Sequence, residues 1–226
     1  MPVCLSRTAA CRFRSMSIFA VLKLGVAGSV LFCLVVLTAM IMRTFAFGRR
    51  PTYAHPRGSS FAGIVYAFGL GMLPWEKESA ARHIWTYIGG ILYHVGILMA
   101  MLFLATVLLR ISLPTTLLQA ARILLSVGVV SGVALLIKRI LQPPMRFLSS
   151  GDDYLANILV DFLLLSALAT TFAETVLVPF AAVAIITFIY IPFGKIRHCV
   201  FFFYSRVLFG DFFGKRGVVP HPSKKA

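Results

Sequence analysis

The sequence predicts an all-α integral membrane protein, a five-transmembrane-helix bundle with its N-terminus outside and its C-terminus inside. Three observations predict it. Of 226 residues, 59% are hydrophobic and only 13% are charged, with a mean hydropathy of +0.91. A soluble domain carries roughly a quarter charged residues, so this composition cannot cover a core with a polar shell. Five apolar runs approach the about 20 residues that a helix needs to cross a bilayer. The charge is lopsided, 22 Lys and Arg against 7 Asp and Glu, a net +15. In a membrane protein such an excess first reads as orientation, because Lys and Arg gather on cytoplasmic ends. Together these exclude a soluble enzyme, a disordered chain and a secreted disulfide scaffold, and they give no reason to invoke nucleic acid. A single membrane domain fills 1–226, without internal repeats.

The first span is placed at 24–42. A basic lead, Arg7, Arg12 and Arg14, precedes it. The apolar run is nevertheless too long for a signal peptide and no A-x-A site follows. Lys23 at its edge is expected to snorkel. Residues 61–73 are apolar but too short to span, and Gly63, Gly69, Gly71 and Pro74 interrupt them. They read as an interfacial or re-entrant segment. Glu76 and Glu78 follow Pro74 as acids suited to a helix N-terminus, so helix two is expected to start there and enter the membrane near His83. Its span is 84–109, and span three is 118–140. Gly151-Asp152-Asp153 reads as the N-cap of helix four, not as a catalytic carboxylate pair. Spans four and five are 155–172 and 176–193. With the N-terminus outside, the inside segments 43–83, 138–154 and 194–226 hold about 16 of the 22 basic residues. The tail from 194 mixes Lys and Arg with Phe201, Phe202, Phe203, Tyr204, Phe212 and Phe213. It reads as an amphipathic segment on anionic membrane lipids or as a docking surface for a cytoplasmic subunit.

The four cysteines, Cys4, Cys11, Cys33 and Cys199, show no CxxC pair, so no iron–sulfur or structural zinc site is expected. Of five histidines, His55 and His221 lie beside prolines in polar segments. His83, His94 and His198 belong to helices, where a ligating group is costly and suggests function. His83 and His94 are 11 residues apart, about 20° from a whole number of turns and about 16 Å along the axis. Gly90 falls between them on that face. A flat macrocycle against a helix needs such a gap, and imidazoles from facing helices are the ligands of a b-type haem. Counted from the outer membrane edge, His83 and His198 reach similar depth and are the expected axial pair. The alternative is that both are plain interfacial polar residues. His94 lies deeper and lacks a partner. It reads as a buried hydrogen-bonding residue before it reads as a second haem ligand or a proton-exchanging quinone contact. Asp161 inside helix four must pair with something. A structural pairing with a basic residue at the inner membrane edge is favoured over the task of orienting a histidine.

The stretches "RHIWTYIGGILYHVGIL" and "IPFGKIRHCVFFFYS", and more weakly "GDDYLANILVDFLLL", carry a family resemblance. The chain resembles the membrane cytochrome b family of the respiratory nitrate reductase gamma subunit. It is also similar to the small membrane subunit of the high-molecular-weight cytochrome c (Hmc) redox complex of sulfate-reducing bacteria. The resemblance covers about residues 20 to 210. It implies a multi-pass protein of the bacterial inner membrane, with a periplasmic N-terminus, that carries electrons by haem b. It also implies menaquinone as a possible second cofactor. The implied partners are a periplasmic multihaem cytochrome c, iron–sulfur subunits on either face and a further integral membrane subunit. In the family, helices two and five each supply two histidines for two haems. His83, His94 and His198 match three of them. The fourth position, about 18 residues before His198 near Pro179 or Phe180, holds no histidine. The spacing on helix two is also one residue longer than in the nitrate reductase pattern. What carries over is the inner haem, between His83 and His198. The missing histidine and the longer spacing count against the outer haem and the quinol site beside it. A haem-free scaffold of the same fold is the rival expectation.

Overall fold

The computed structural model describes residues 3–48, 55–76 and 81–219, with side chains from 19 onward. Among them there is no strand. The helices are α1 (Val3–Ala46), α2 (Ser60–Phe68), α3 (Ile84–Leu109), α4 (Thr115–Leu141), α5 (Pro143–Leu148), α6 (Gly151–Thr170), α7 (Leu177–Tyr190) and α8 (His198–Lys215). Short 3-10 turns occupy 70–72, 74–76, 174–176 and 195–197.

Four helical stretches are long and apolar enough to cross a membrane: Phe19–Ala46, Ile84–Leu109, Thr115–Leu141 and Gly151–Thr170. A fifth counts only if the broken pair α7 and α8 is taken as one span. The chain is therefore of the multi-pass helical membrane type. Its surface agrees. Leu24 and Val130 are about 70% exposed (73% and 69%), as are many large apolar side chains along these helices. Water would penalise such a surface and lipid does not.

The chain divides into two compact units. The first comprises Met1–Val36 and Gly89–Lys195. Its core is Val26, Leu125, Leu163, Leu164 and Phe180, all fully or almost fully buried. Helices α3 and α4 cross at Gly96 and Gly128, where a Cβ on Gly96 would come within 2.6 Å of Gly128 Cα. Small residues at a crossing let apolar helices approach closely, which is how helices associate in lipid. Phe103 of α3 stacks with Phe180 of α7 at 6.1 Å between centroids.

The helix ends in this unit follow local chemistry. Ser150 and Asp153 form a reciprocal capping box at the start of α6. Pro143 and Pro144 open α5, where their missing N–H groups cost nothing. Helix α3 ends with Arg110 at φ 55. The Ile111 N–H donates to Thr106 O at 2.9 Å and the Arg110 N–H to Val107 O at 3.2 Å. That is a Schellman ending with arginine where glycine is usual. At the far end of α6, Arg122 of α4 donates through Nε to Thr171 Oγ1 at 3.2 Å and through Nη2 to Thr171 O. It thus places a cation on the helix C-terminus.

The second unit comprises Leu37–Ile88 and Ile196–Ala226. Helix α2, capped by Ser59 through the Ala62 N–H at 3.3 Å, lies against α8. Gly63 of α2 faces Gly210 and Gly214 of α8, so that a Cβ on Gly63 would come within 2.6 Å of Gly214 Cα and closer still to Gly210 O. The backbones are therefore in direct contact. The Arg57 and Gly58 N–H groups both donate to Lys215 O, at 2.9 and 3.2 Å. Ser60 Oγ donates to Asp211 Oδ1, and Lys215 pairs with the same carboxylate at 2.8 Å. The C-terminal end of α1 joins the unit through Thr44, whose Oγ1 donates to Tyr204 Oη at 2.9 Å. Burial first, and then the neighbouring Glu76 carboxylate, push the Tyr66 phenol above its usual range.

At three places the described helices add detail to the sequence reading. The span 24–42 lies within α1, which runs from Val3. Helix five is shorter than 176–193. It ends at Tyr190, a turn with Pro192 and Gly194 follows, and α8 starts afresh at His198. Fourteen residues make about 21 Å of helix, short of the about 30 Å hydrocarbon core. The 61–73 segment is a helix followed by a 3-10 turn, docked on α8, and α8 turns two of its glycines to α2.

Candidate functional site

His83 and His198 both belong to the second unit, and both are exposed. Each stands at a helix start. The His83 carbonyl accepts the N–H groups of Thr86 and Tyr87, at 3.0 and 3.1 Å, and so closes the first turn of α3. His198 is the first residue of α8. The depth estimate from the sequence counted along an unbroken helix five, and that axis stops at Tyr190. Glu78 and His221 lie outside the described residues, and His55 is an exposed loop residue. Glu76 sits in a 3-10 turn rather than at the start of α3.

His94 is on α3 in the first unit, with an exposed side chain. Its Nδ1 donates to Gly90 O at 2.7 Å, one turn back. A carbonyl can only accept, so Nδ1 carries a proton. A Cβ on Gly90 would meet no atom within 4 Å, so the surface beside it is open. Gly90 and His94 together form an exposed notch on α3, and the Tyr93 ring stands edge-on to the imidazole at 6.4 Å. Among the described residues no three His, Cys, Asp or Glu side chains gather as a metal cluster.

Asp161 takes neither a histidine nor a basic residue as partner. Its Oδ2 accepts the Asn157 Nδ2 amide at 2.9 Å. The same nitrogen reaches the Tyr93 hydroxyl at 3.3 Å and Gly132 O at 3.4 Å. The Tyr93 hydroxyl donates to Asn157 O at 3.3 Å. Three helices, α3, α4 and α6, thus meet in one polar knot. The basic partner favoured from the sequence is not found among the described ion pairs, and Asn157 stands in its place. Tyr93 and Asn157 were missed because both are ordinary polar residues in apolar runs. Asn157 stands one turn before Asp161, a spacing that shares a helix face, and this was the available signal.

Asp152 and Asp153 also behave as structural acids. Asp153 caps α6 through Ser150 and pairs with Lys195 and, at 3.6 Å, with Arg139. Asp152 accepts from the Tyr190 hydroxyl and, at 2.9 Å, from the Lys195 N–H. The Tyr190 ring covers Gly194 so closely that no Cβ fits there. This ties the turn after α7 to the start of α6.

At the other end of the first unit a cleft of about 480 Å³ is lined by Phe19, Val107, Arg110, Glu174 and Leu177, among others. Arg110 lies over the Phe19 ring at 4.4 Å. No family model, curated protein or solved structure matches the chain.

Proposed function

We propose that this chain is the membrane subunit of an anaerobic respiratory redox complex and carries electrons across the membrane on b-type haem. The single observation that carries the reading is the placement of His83 and His198. They are distant in sequence, share one compact unit and expose both imidazoles. Those two side chains would hold the iron, and the bound group would supply a one-electron carrier. The surrounding protein would set its potential through burial. His94, with Gly90 beside it, is a third imidazole, on α3. It has no counterpart on α7, which contains no histidine. This leaves His94 as a contact for a second haem or a menaquinone. In this reading the N-terminus is periplasmic and the membrane is the bacterial inner one. The basic segments then face a cytoplasmic iron–sulfur subunit, and a multihaem cytochrome c, further iron–sulfur subunits and another membrane subunit complete the complex.

The test is spectroscopic. The purified protein or complex is reduced with dithionite and assayed as pyridine haemochrome. The expected result is a b-type spectrum that His83→Ala and His198→Ala each abolish while the chain still assembles. Absence of b-type haem from the assembled wild type overturns the proposal.

A second reading, a haem-free scaffold that anchors the partners, is favoured by the break between Tyr190 and His198. Unchanged spectra in His198→Ala, or no haem at all, would support it.

A further inference from the structure

The Asp161 carboxyl has two oxygens in different circumstances. Oδ2 accepts the Asn157 amide. Oδ1 is buried and has no hydrogen-bond partner among the described residues. It rests directly on Gly132, and the edge of the Tyr93 ring covers the same glycine. Gly132 is required here, because any side chain would occupy the place of Oδ1.

Charged groups of the neighbouring elements are engaged elsewhere or belong to other parts of the unit. Helix α3 contributes Tyr93 and, next to it, His94, which is bonded to Gly90 O. Helix α4 carries Arg122, bonded to Thr171, and Arg139, bonded to Ser149. Lys138 stands beside Arg139 in the last turn of α4. On α7 the only titratable group is Tyr190, bonded to Asp152. Glu174 of the 3-10 turn lines the cleft at the opposite end. Asp152 and Asp153 open α6 two turns before Asp161, in their own network. No described cation forms an ion pair with Asp161.

A metal cation is a poor occupant. The point where Asp161 Oδ2, the Tyr93 hydroxyl and Gly132 O converge is filled by the Asn157 amide nitrogen, at 2.9, 3.3 and 3.4 Å. The unmet need at Oδ1 is that of a single hydrogen. A proton there removes an uncompensated buried charge and turns the oxygen into a donor. The Tyr93 hydroxyl beside it already donates to Asn157 O and retains acceptor capacity.

We propose that Asp161 is a proton-binding site of the bundle, its carboxyl held in the acid form at neutral pH by Gly132, Tyr93 and Asn157. Release of the proton leaves a carboxylate that must be met by water or by the Tyr93 hydroxyl, which lies within hydrogen-bond reach of it, turning away from Asn157 O. Proton exchange is therefore tied to a rearrangement of the knot between α3, α4 and α6. This reading is independent of haem binding.

The experiment uses the full chain in lipid nanodiscs with ¹³C-carboxyl-labelled aspartate. The label reports four positions, Asp152, Asp153, Asp161 and Asp211. The expected carbon spectrum at neutral pH shows an acid-form signal that is absent from Asp161→Asn. An asparagine there presents an N–H where the acid presents an O–H, so the variant should keep its fold and lose the fall in thermal midpoint expected of the wild type at high pH. Four carboxylate signals in the wild type would overturn the proposal. Should Asp161→Asn not fold, Gly132→Ala serves, since it evicts Oδ1 from its place. The acid-form signal should then move to the carboxylate position, and an unmoved signal would count against the site.

Discussion

The seam of one unit and the polar knot of the other use glycine for opposite purposes. In the unit of Leu37–Ile88 and Ile196–Ala226, Gly63, Gly210 and Gly214 let backbone touch backbone, and the seam between α2 and α8 is made of main chain. In the unit of Met1–Val36 and Gly89–Lys195, Gly96 and Gly128 do the same for α3 and α4, but Gly132 makes room for side chains, the Asp161 carboxyl and the Tyr93 ring. The first arrangement suits a lipid setting, where close approach and dispersion substitute for a hydrophobic drive. The second is a polar specification, in which donors and acceptors must all be matched. A backbone seam has nothing that can rotate away from an intruding atom. A side-chain knot can yield by changing rotamer. That difference ranks the responses of the two units to substitution.

The largest effect is expected from Gly63→Val. Its side chain would enter the space of Gly210 O and Gly214, both main chain. Only separation of the helices relieves the clash, and the cost should lie at the upper end for overpacking, about 3 kcal/mol. Amide hydrogen exchange should show α2 and α8 losing protection together, with α4 and α6 unchanged. If exchange in α8 stays at the wild-type rate, the seam is not what holds this unit together.

Gly132→Ala comes next. The added methyl displaces the ends of two side chains, so the expected loss is about 2 kcal/mol, read from the thermal midpoint and confined to α3, α4 and α6 in hydrogen exchange. Asn157→Ala should cost slightly less, about 1.5 kcal/mol, since it strips partners from Tyr93 and Asp161 but forces nothing apart. A double-mutant cycle with Asp161→Asn should be non-additive by about 0.5 kcal/mol or more. Additive losses would mean that the knot is a set of separate bonds.

The elements in this comparison differ in how far they could be read from the sequence. The helices of spans two, three and four follow from apolar length: the first has the expected bounds, 84–109, and the other two differ from 118–140 and 155–172 by at most four residues. The cap at Ser150–Asp153 was legible because its chemistry is local. The end of helix five was not, although Pro192 and Gly194 stood in plain view. The apolar run through Phe193 outweighed them. Gly210 and Gly214 have the four-residue spacing of a close helix contact, and Ser59, Gly63 and Ala67 repeat it. The many aromatic and basic residues of the tail drew the reading toward lipid instead. Asp161 was marked as needing a partner, but pairing across three helices is a tertiary fact that no local pattern encodes. His83 and His198 the sequence could only rank by depth, counting residues from assumed membrane edges.

The smallest effect is expected from Lys215→Ala, and it sharpens the comparison most cleanly. Lys215 pairs with Asp211 at 2.8 Å across one turn of α8, and both side chains are partly exposed, 42% and 35%. Ion pairs of that kind contribute about 0.3–0.5 kcal/mol in helices, less when salt screens them. The main-chain carbonyl of Lys215 still accepts from Arg57 and Gly58 in the variant, and Asp211 still accepts from Ser60. The seam should therefore survive with exchange rates in α2 close to wild type, and raising the salt concentration should reproduce the variant's small loss in the wild-type protein. A large loss would mean that charge, not backbone contact at glycine, aligns α2 with α8. The second unit would then be a polar assembly like the first.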